Sequence, residues 1–217
     1  TLPQDVDIVH PSVGGSYPNE HLCGSGVAFK LSWAIAQKLN ESDKVSDIYR
    51  EFLREALAFA ALGTIADVVP LVGENRIIAR HGLALLRTTP FVGLKALIEQ
   101  SGLTNTNVSG YDVGFKLAPR LNAAGRMGHA RLGVELLTRA TEERAREIAL
   151  YLEEQNRARQ TAQRRIVKQA SEMVERLGLD SDAHRAIVLA AEGWHPGVIG
   201  IVASRLVDLF GRPTVLI

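Results

Sequence analysis

Between Glu142 and Leu177 the chain runs for 36 residues without a proline or a glycine. No other feature restricts the fold as strongly. Ala145, Ile148, Ala149, Leu152, Ala162, Ile166, Ala170, Met173, Val174 and Leu177 mark one stripe at helical spacing. Gly178 stands where a helix C-terminal cap belongs. A single helix of this span measures about 54 Å at 1.5 Å per residue. Its middle, Glu153 to Arg165, is nearly all polar. Apolar ends around a polar waist read as a strut between two domains. A coiled coil is the alternative, weakened by the lapse of the apolar repeat in the waist.

The rest of the chain differs on the two sides of this helix. Upstream, Asp5 to Val9 alternates like a short strand and is followed by a Gly- and Pro-bearing loop. Helical spacing then predicts helices at 24–40, 45–62 (stopping at Gly63), 75–87, 92–100 and 132–139. A short helix at 112–118 is expected to break at Pro119. Downstream, Ala186 to Ala190 reads as a buried strand and 193–197 as a loop. Val198 to Phe210 reads as a helix, and Pro213 to Ile217 as a second strand. Strand, helix, strand in so short a span implies a parallel βαβ unit.

Composition excludes several classes. The 217 residues are 46% apolar and 23% charged, a globular rather than a disordered balance. No apolar stretch approaches the roughly 20 residues that a membrane-spanning helix needs. Cys23 is the single cysteine, so no internal disulfide framework exists, and no basic-then-apolar leader opens the sequence. A cytoplasmic location is the default expectation. The chain opens on Thr1, holds methionine only at Met127 and Met173, and ends in an apolar run, which reads as a piece of something longer. The net charge of +1 conceals an asymmetry: residues 1–67 carry five bases and nine acids, and the remainder carries 20 bases and 15 acids.

Four segments carry candidate chemistry. In Ala61 to Leu71, Asp67 is the only acid between Glu55 and Glu74 and sits in an apolar run. There an ionised carboxylate is costly unless it is paired or metal-bound. It reads as a helix cap or buried acceptor, or as one oxygen ligand of a hard cation that needs further ligands. In Gly114 to Ala130, Pro119, Gly125 and Gly128 shape a loop that presents Arg120, Asn122, Arg126 and His129, with no acid among 116–131. Arginine forks match phosphate oxygens. Equally, these arginines can pair with the acids of residues 1–67. In Gly193 to Arg205, a glycine-bearing loop opens a helix and points backbone N–H groups at an anion. Ser204 and Arg205 follow two turns on, and Trp194 is either a base-stacking platform or core. In Leu22 to Lys30, the glycines suit close packing, and Cys23 reads as a small buried apolar residue.

Tyr17-Pro18 with Leu22 to Lys30 resembles the segment that follows the Asp-His-His motif in the single-strand-specific 5′ exonucleases of the DHH phosphoesterase superfamily. The other three segments resemble further signatures of the same family in the same order, and the long helix resembles its interdomain connector. The resemblance implies an α/β fold cut into parts. Residues 1–140 would be the C-terminal, mostly helical part of a DHH catalytic domain, 141–178 the connecting helix, and 179–217 the start of a smaller α/β DHH-associated domain. It implies a Mn²⁺- or Mg²⁺-dependent 5′-to-3′ single-stranded-DNA exonuclease of DNA repair and recombination. Asp67 would be a metal ligand, and Asp67 and Arg126 catalytic. Arg120, Asn122, Arg126, His195, Ser204 and Arg205 would bind nucleic acid. Single-stranded DNA, a single-stranded-DNA-binding protein and a helicase are the implied partners, and the intact protein would be a monomer without a membrane anchor.

The sequence departs from the family pattern in having no Asp-His-His and no Asp-x-Asp-Gly, so the other metal ligands are missing and the chain by itself is expected to be inactive. Two alternatives remain: a phosphodiesterase of the same superfamily acting on nanoRNA or cyclic dinucleotides, and an inactive scaffold in replication.

Overall fold

The computed structural model describes residues 5–15 and 17–217. The chain divides into two compact units, Thr1–Ala118 and Pro119–Ile217. Among the described residues, no helix is long and apolar enough to cross a membrane.

The first unit is built on three helices. These are α1 (Gly24–Leu39), α2 (Asp47–Ala66) and α3 (Gly73–Leu86), with α2 packed against both neighbours. Glycines set how closely they approach. A Cβ at Gly63 would collide with the Ser25 side chain, and one at Gly82 with Ala61 and the Leu57 carbonyl. Gly63 was expected to end α2, but the helix continues to Ala66. A glycine costs an interior helical position about 0.5–1 kcal/mol relative to alanine. Here it is retained because it leaves room for Ser25. Cys23 caps α1, its Sγ accepting from the Gly26 N–H at 3.4 Å, and is buried as expected. The segment Asp5–Val9 is exposed and is not a strand; among the described residues no strand lies beside it to complete a ladder.

The unit continues through α4 (Val92–Gln100), α5 (Gly110–Asp112) and a π-helical turn, Val113–Leu117. The expected break at Pro119 does not occur. Helix α6 (Ala118–Arg126) contains Pro119 in its first turn. In an unbroken α-helix the proline ring would strike the carbonyl four residues back, and its missing N–H would waste a bond. The π turn absorbs both problems, since the Ala118 N–H reaches back five residues to Val113. The 116–131 segment is therefore largely helical rather than a loop. Its turn lies at Met127–His129, where Gly128 takes φ +94°.

In the second unit, α7 (Ala130–Thr138) packs on α8, which spans Glu142–Leu177 as the sequence predicts and ends on left-handed Gly178. The βαβ unit is present: β1 (Ile187–Leu189), α9 (Pro196–Phe210) and β2 (Thr214–Leu216), with Ile187 paired to Thr214 in a parallel ladder. Its core joins Ile166, Ala170 and Val174 of α8 to Ile187, Val198, Val202, Leu206 and Leu216.

Ser109 and Asp112 form a capping box at the start of α5. The Ser109 hydroxyl accepts from the Asp112 N–H at 3.2 Å, and the Asp112 carboxylate accepts from the Ser109 N–H at 3.0 Å. A hydrogen bond from Lys116, followed by those from Ser109, holds the Asp112 carboxyl down at about 2. A carboxyl depressed in the fold stabilises it above its ordinary value of 3.8, and that contribution is lost as pH falls toward 2. Ser109→Ala should cost about 1 kcal/mol at neutral pH. Thermal melts at pH 6 and pH 2.5 should find the gap between wild type and Asp112→Ala clearly narrower at the lower pH.

Candidate nucleic-acid and metal site

Asp67 is the C-cap of α2, its N–H donating to the Gly63 carbonyl at 2.9 Å. The helix-cap reading is thus met, but the residue is exposed rather than a buried acceptor, because the apolar residues after it are turned outward: Val68, Leu71 and Val72 are all exposed. Among the described residues, no side chain pairs with its carboxylate. A carboxylate at a helix C-terminus also faces the negative end of the helix dipole, which costs about 0.3–1 kcal/mol. Among the described residues no three His, Cys, Asp or Glu side chains converge to hold a metal ion. Asp67 suits one oxygen ligand of a hard cation, and the described residues do not complete such a site by themselves.

The second unit holds the other candidates. Arg120, on α6, makes an ion pair with Glu153 of α8, Nε to Oε2 at 2.7 Å, with side chains only 14% and 9% exposed. Arg157 donates to the other Glu153 oxygen at 2.6 Å. Glu153 thus ties α6 to α8, and Arg120 is committed to that contact. Asn122 and Arg126 are exposed on α6. Arg126 Nη1 donates to the Gly197 carbonyl at 3.3 Å. Gly197 has no room for a Cβ because the Arg126 backbone carbonyl occupies that space. Here α6 and α9 touch through glycine.

His195 is the N-cap of α9, its Nδ1 accepting from the Gly197 N–H at 3.0 Å. In the neutral imidazole the proton therefore sits on Nε2. Trp194 is core, not a stacking platform: it is buried, and its indole N–H donates to Gln169 at 2.9 Å. Ser204 and Arg205 are exposed along α9, with Ser204 Oγ donating to the Gly200 carbonyl. His129 is exposed and packs edge-on against Tyr151 at 5.5 Å.

Two further arginines join this region. Arg165 of α8 donates to the Gly193 carbonyl at 3.3 Å. Arg159, also on α8, donates to Asn156 at 3.0 Å and Gln163 at 3.2 Å. Burial first, and then the charge of Arg126, push the Arg159 guanidinium below its ordinary range. Arg126 and Arg165 therefore bracket the 193–197 loop, with Arg159 within electrostatic reach of Arg126. Sequence reading passed over Glu153, Asn156, Arg159 and Arg165 because the apolar repeat lapses there. The signal was available. Carrying the α8 stripe through the waist at steps of three and four runs from Leu152 through Asn156, Arg159 and Gln163 to Ile166.

Removing Glu153 takes a nearly buried carboxylate from both Arg120 and Arg157 and should destabilise the fold. We expect Glu153→Ala to lower the denaturation midpoint sharply, and the double variant Arg120→Met with Glu153→Met to recover most of the loss. Urea unfolding of the three proteins measures both.

No protein-family model matches the chain. The single-stranded-DNA-specific exonuclease RecJ of Bacillus subtilis is 45% identical over 217 residues, all of this chain and 26% of that protein. The Haemophilus influenzae RecJ is 37% identical over 99% of this chain and 38% of its own length. The crystal structure of Thermus thermophilus RecJ in complex with Mn²⁺ superposes with a TM-score of 0.80 at 34% identity, over 96% of this chain and 29% of that one. The chain thus spans about a quarter to two-fifths of the curated relatives it matches.

Proposed function

We propose, from the premise that the chain is a RecJ-family sequence along its whole length, that it forms part of a metal-dependent single-stranded-DNA exonuclease. In this reading residues 1–140 belong to the catalytic domain, 141–178 to the connecting helix and 179–217 to the DHH-associated domain. Digestion runs 5′ to 3′ in DNA repair and recombination in the cytoplasm, with a single-stranded-DNA-binding protein and a helicase as partners of a monomeric enzyme.

The observation that carries the reading is the bracketing of the α9 N-terminus by Arg126 and Arg165. Cationic forks near the positive end of a helix suit phosphate oxygens. Like-charged arginines gathered in one region repel each other until an anion arrives. His195 keeps the cap in place through Nδ1, which leaves the imidazole proton on Nε2. Asn122, Ser204 and Arg205 are exposed where a strand's phosphate backbone can meet them. Arg120 contributes indirectly, by fixing α6 on α8. Asp67 supplies one ligand of the Mn²⁺ or Mg²⁺ site, and the bound metal would activate water against the phosphodiester. The cost of an exposed carboxylate at a helix C-terminus supports this role, because an external cation removes it.

Each role has a measurement. In the complete protein, Asp67→Ala should abolish Mn²⁺-dependent hydrolysis while single-strand binding stays within about twofold of wild type, since one carboxylate contributes little to backbone contacts. Near-normal turnover would rule Asp67 out as a ligand. Arg126→Ala should weaken binding of oligonucleotides of every sequence alike. It should also flatten the plot of log K against log salt by about 0.7, the share of one phosphate contact on a single strand. An unchanged slope would remove Arg126 from the strand path.

A further inference from the structure

Asp67 is followed by a valine in the left-handed region. Val68 has φ +58°, where a β-branched side chain crowds its own backbone. Such residues persist only where their surroundings over-determine them. The Val68 side chain gains nothing in return, being 85% exposed.

Val68 stands directly after the α2 C-cap, its N–H donating to the Ile65 carbonyl at 3.2 Å, and the turn beyond it is held by Asn75. It is fully buried at the third position of α3. Its Nδ2 donates to the Pro70 carbonyl at 3.0 Å and to the His21 carbonyl at 2.9 Å. Its Oδ1 accepts from Asn19 Nδ2 at 3.2 Å. Both donors of the amide are used, and neither serves the helix in which the residue lies. The neighbouring Glu74 accepts from Tyr17 Oη and from Lys30 Nζ, each at 2.7 Å. Burial alone pushes Glu74 up, but the bonds from Lys30 and Tyr17 outweigh it and keep the carboxyl below its ordinary range. Two adjacent side chains thus stitch the start of α3 to residues 17–30, and Asn75 extends the stitch to the turn after Asp67.

We propose that Asn75 is a positioning residue for Asp67. It pins the Pro70 carbonyl and so holds the Asp67–Leu71 turn in the strained conformation that presents the carboxylate to a divalent cation. The inference rests on the reading of Asp67 as a ligand. A ligand fixed in advance loses less freedom when metal binds, and partners that orient a ligand are worth 10- to 100-fold in metal affinity. Strain retained for this purpose has a signature that a purely structural turn lacks: releasing it weakens metal binding without weakening the fold.

The test uses the complete protein, with Mn²⁺ affinity from isothermal titration calorimetry and Tm measured without metal. Val68→Gly accepts the left-handed conformation without strain. It should bind Mn²⁺ about tenfold more weakly while its metal-free Tm is unchanged or higher. Asn75→Ala should show a similar loss of affinity with a lower Tm. Asp67→Ala serves as the reference. Wild-type Mn²⁺ affinity in Val68→Gly, alongside its loss in Asp67→Ala, overturns the positioning role and leaves the ligand in place. Wild-type affinity in Asp67→Ala overturns the ligand reading itself. If Asn75→Ala does not fold, the Val68→Gly titration decides alone.

Discussion

The buried ion pair between Arg120 and Glu153 is the contact on which the basic surface of the second unit depends. Two charges brought so far out of water gain little net stability, but neither partner can be moved without exposing the other's desolvation cost. That asymmetry makes the pair a register pin. With Arg120 fixed on α8, the six residues that follow it in α6 are fixed as well, and Arg126 reaches the Gly197 carbonyl. The absence of a Cβ at Gly197 completes the fit. The cap at His195 and the arginines beside it are thus consequences of a charge that was removed from the surface.

The first unit uses a different device. Its helices approach through glycine and alanine, with Gly63 and Gly82 giving up helix propensity for contact. Close approach fixes where α2 ends and α3 begins, and so fixes the turn that carries Asp67. Polar stitching by Asn75 and Glu74 then sets the turn's shape, a task that apolar packing cannot perform on exposed residues such as Val68.

Much of this was legible in the chain. The limits of α8, the parallel βαβ unit and the burial of Cys23 follow from spacing and glycine placement. Where the reading failed, the cause was a long-range partner. Gly63 looked like a stop because Ser25, which fills its space, lies 38 residues earlier. Pro119 looked like a break because a π turn has no compositional signature. Asp67 is a helix cap, as one reading had it, but not a buried acceptor, because the apolar residues after it face outward. Arg120 and Arg126 are alike in sequence, and only the position of Glu153 separates an internal tie from an exposed cation.

The sequence by itself determined the elements and the chemistry on offer: a long helix, a parallel βαβ unit, one isolated carboxylate and a basic stretch. These are local properties, set by periodicity, propensity and charge within a few turns of chain. Only the tertiary structure decided which arginine is exposed and which is nearly buried. It also decided that Asn75 serves the turn before it rather than the helix it belongs to, and that Trp194 is core. Those outcomes depend on desolvation and hydrogen-bond satisfaction between residues far apart in the chain, and such terms have no value until the partner is in place.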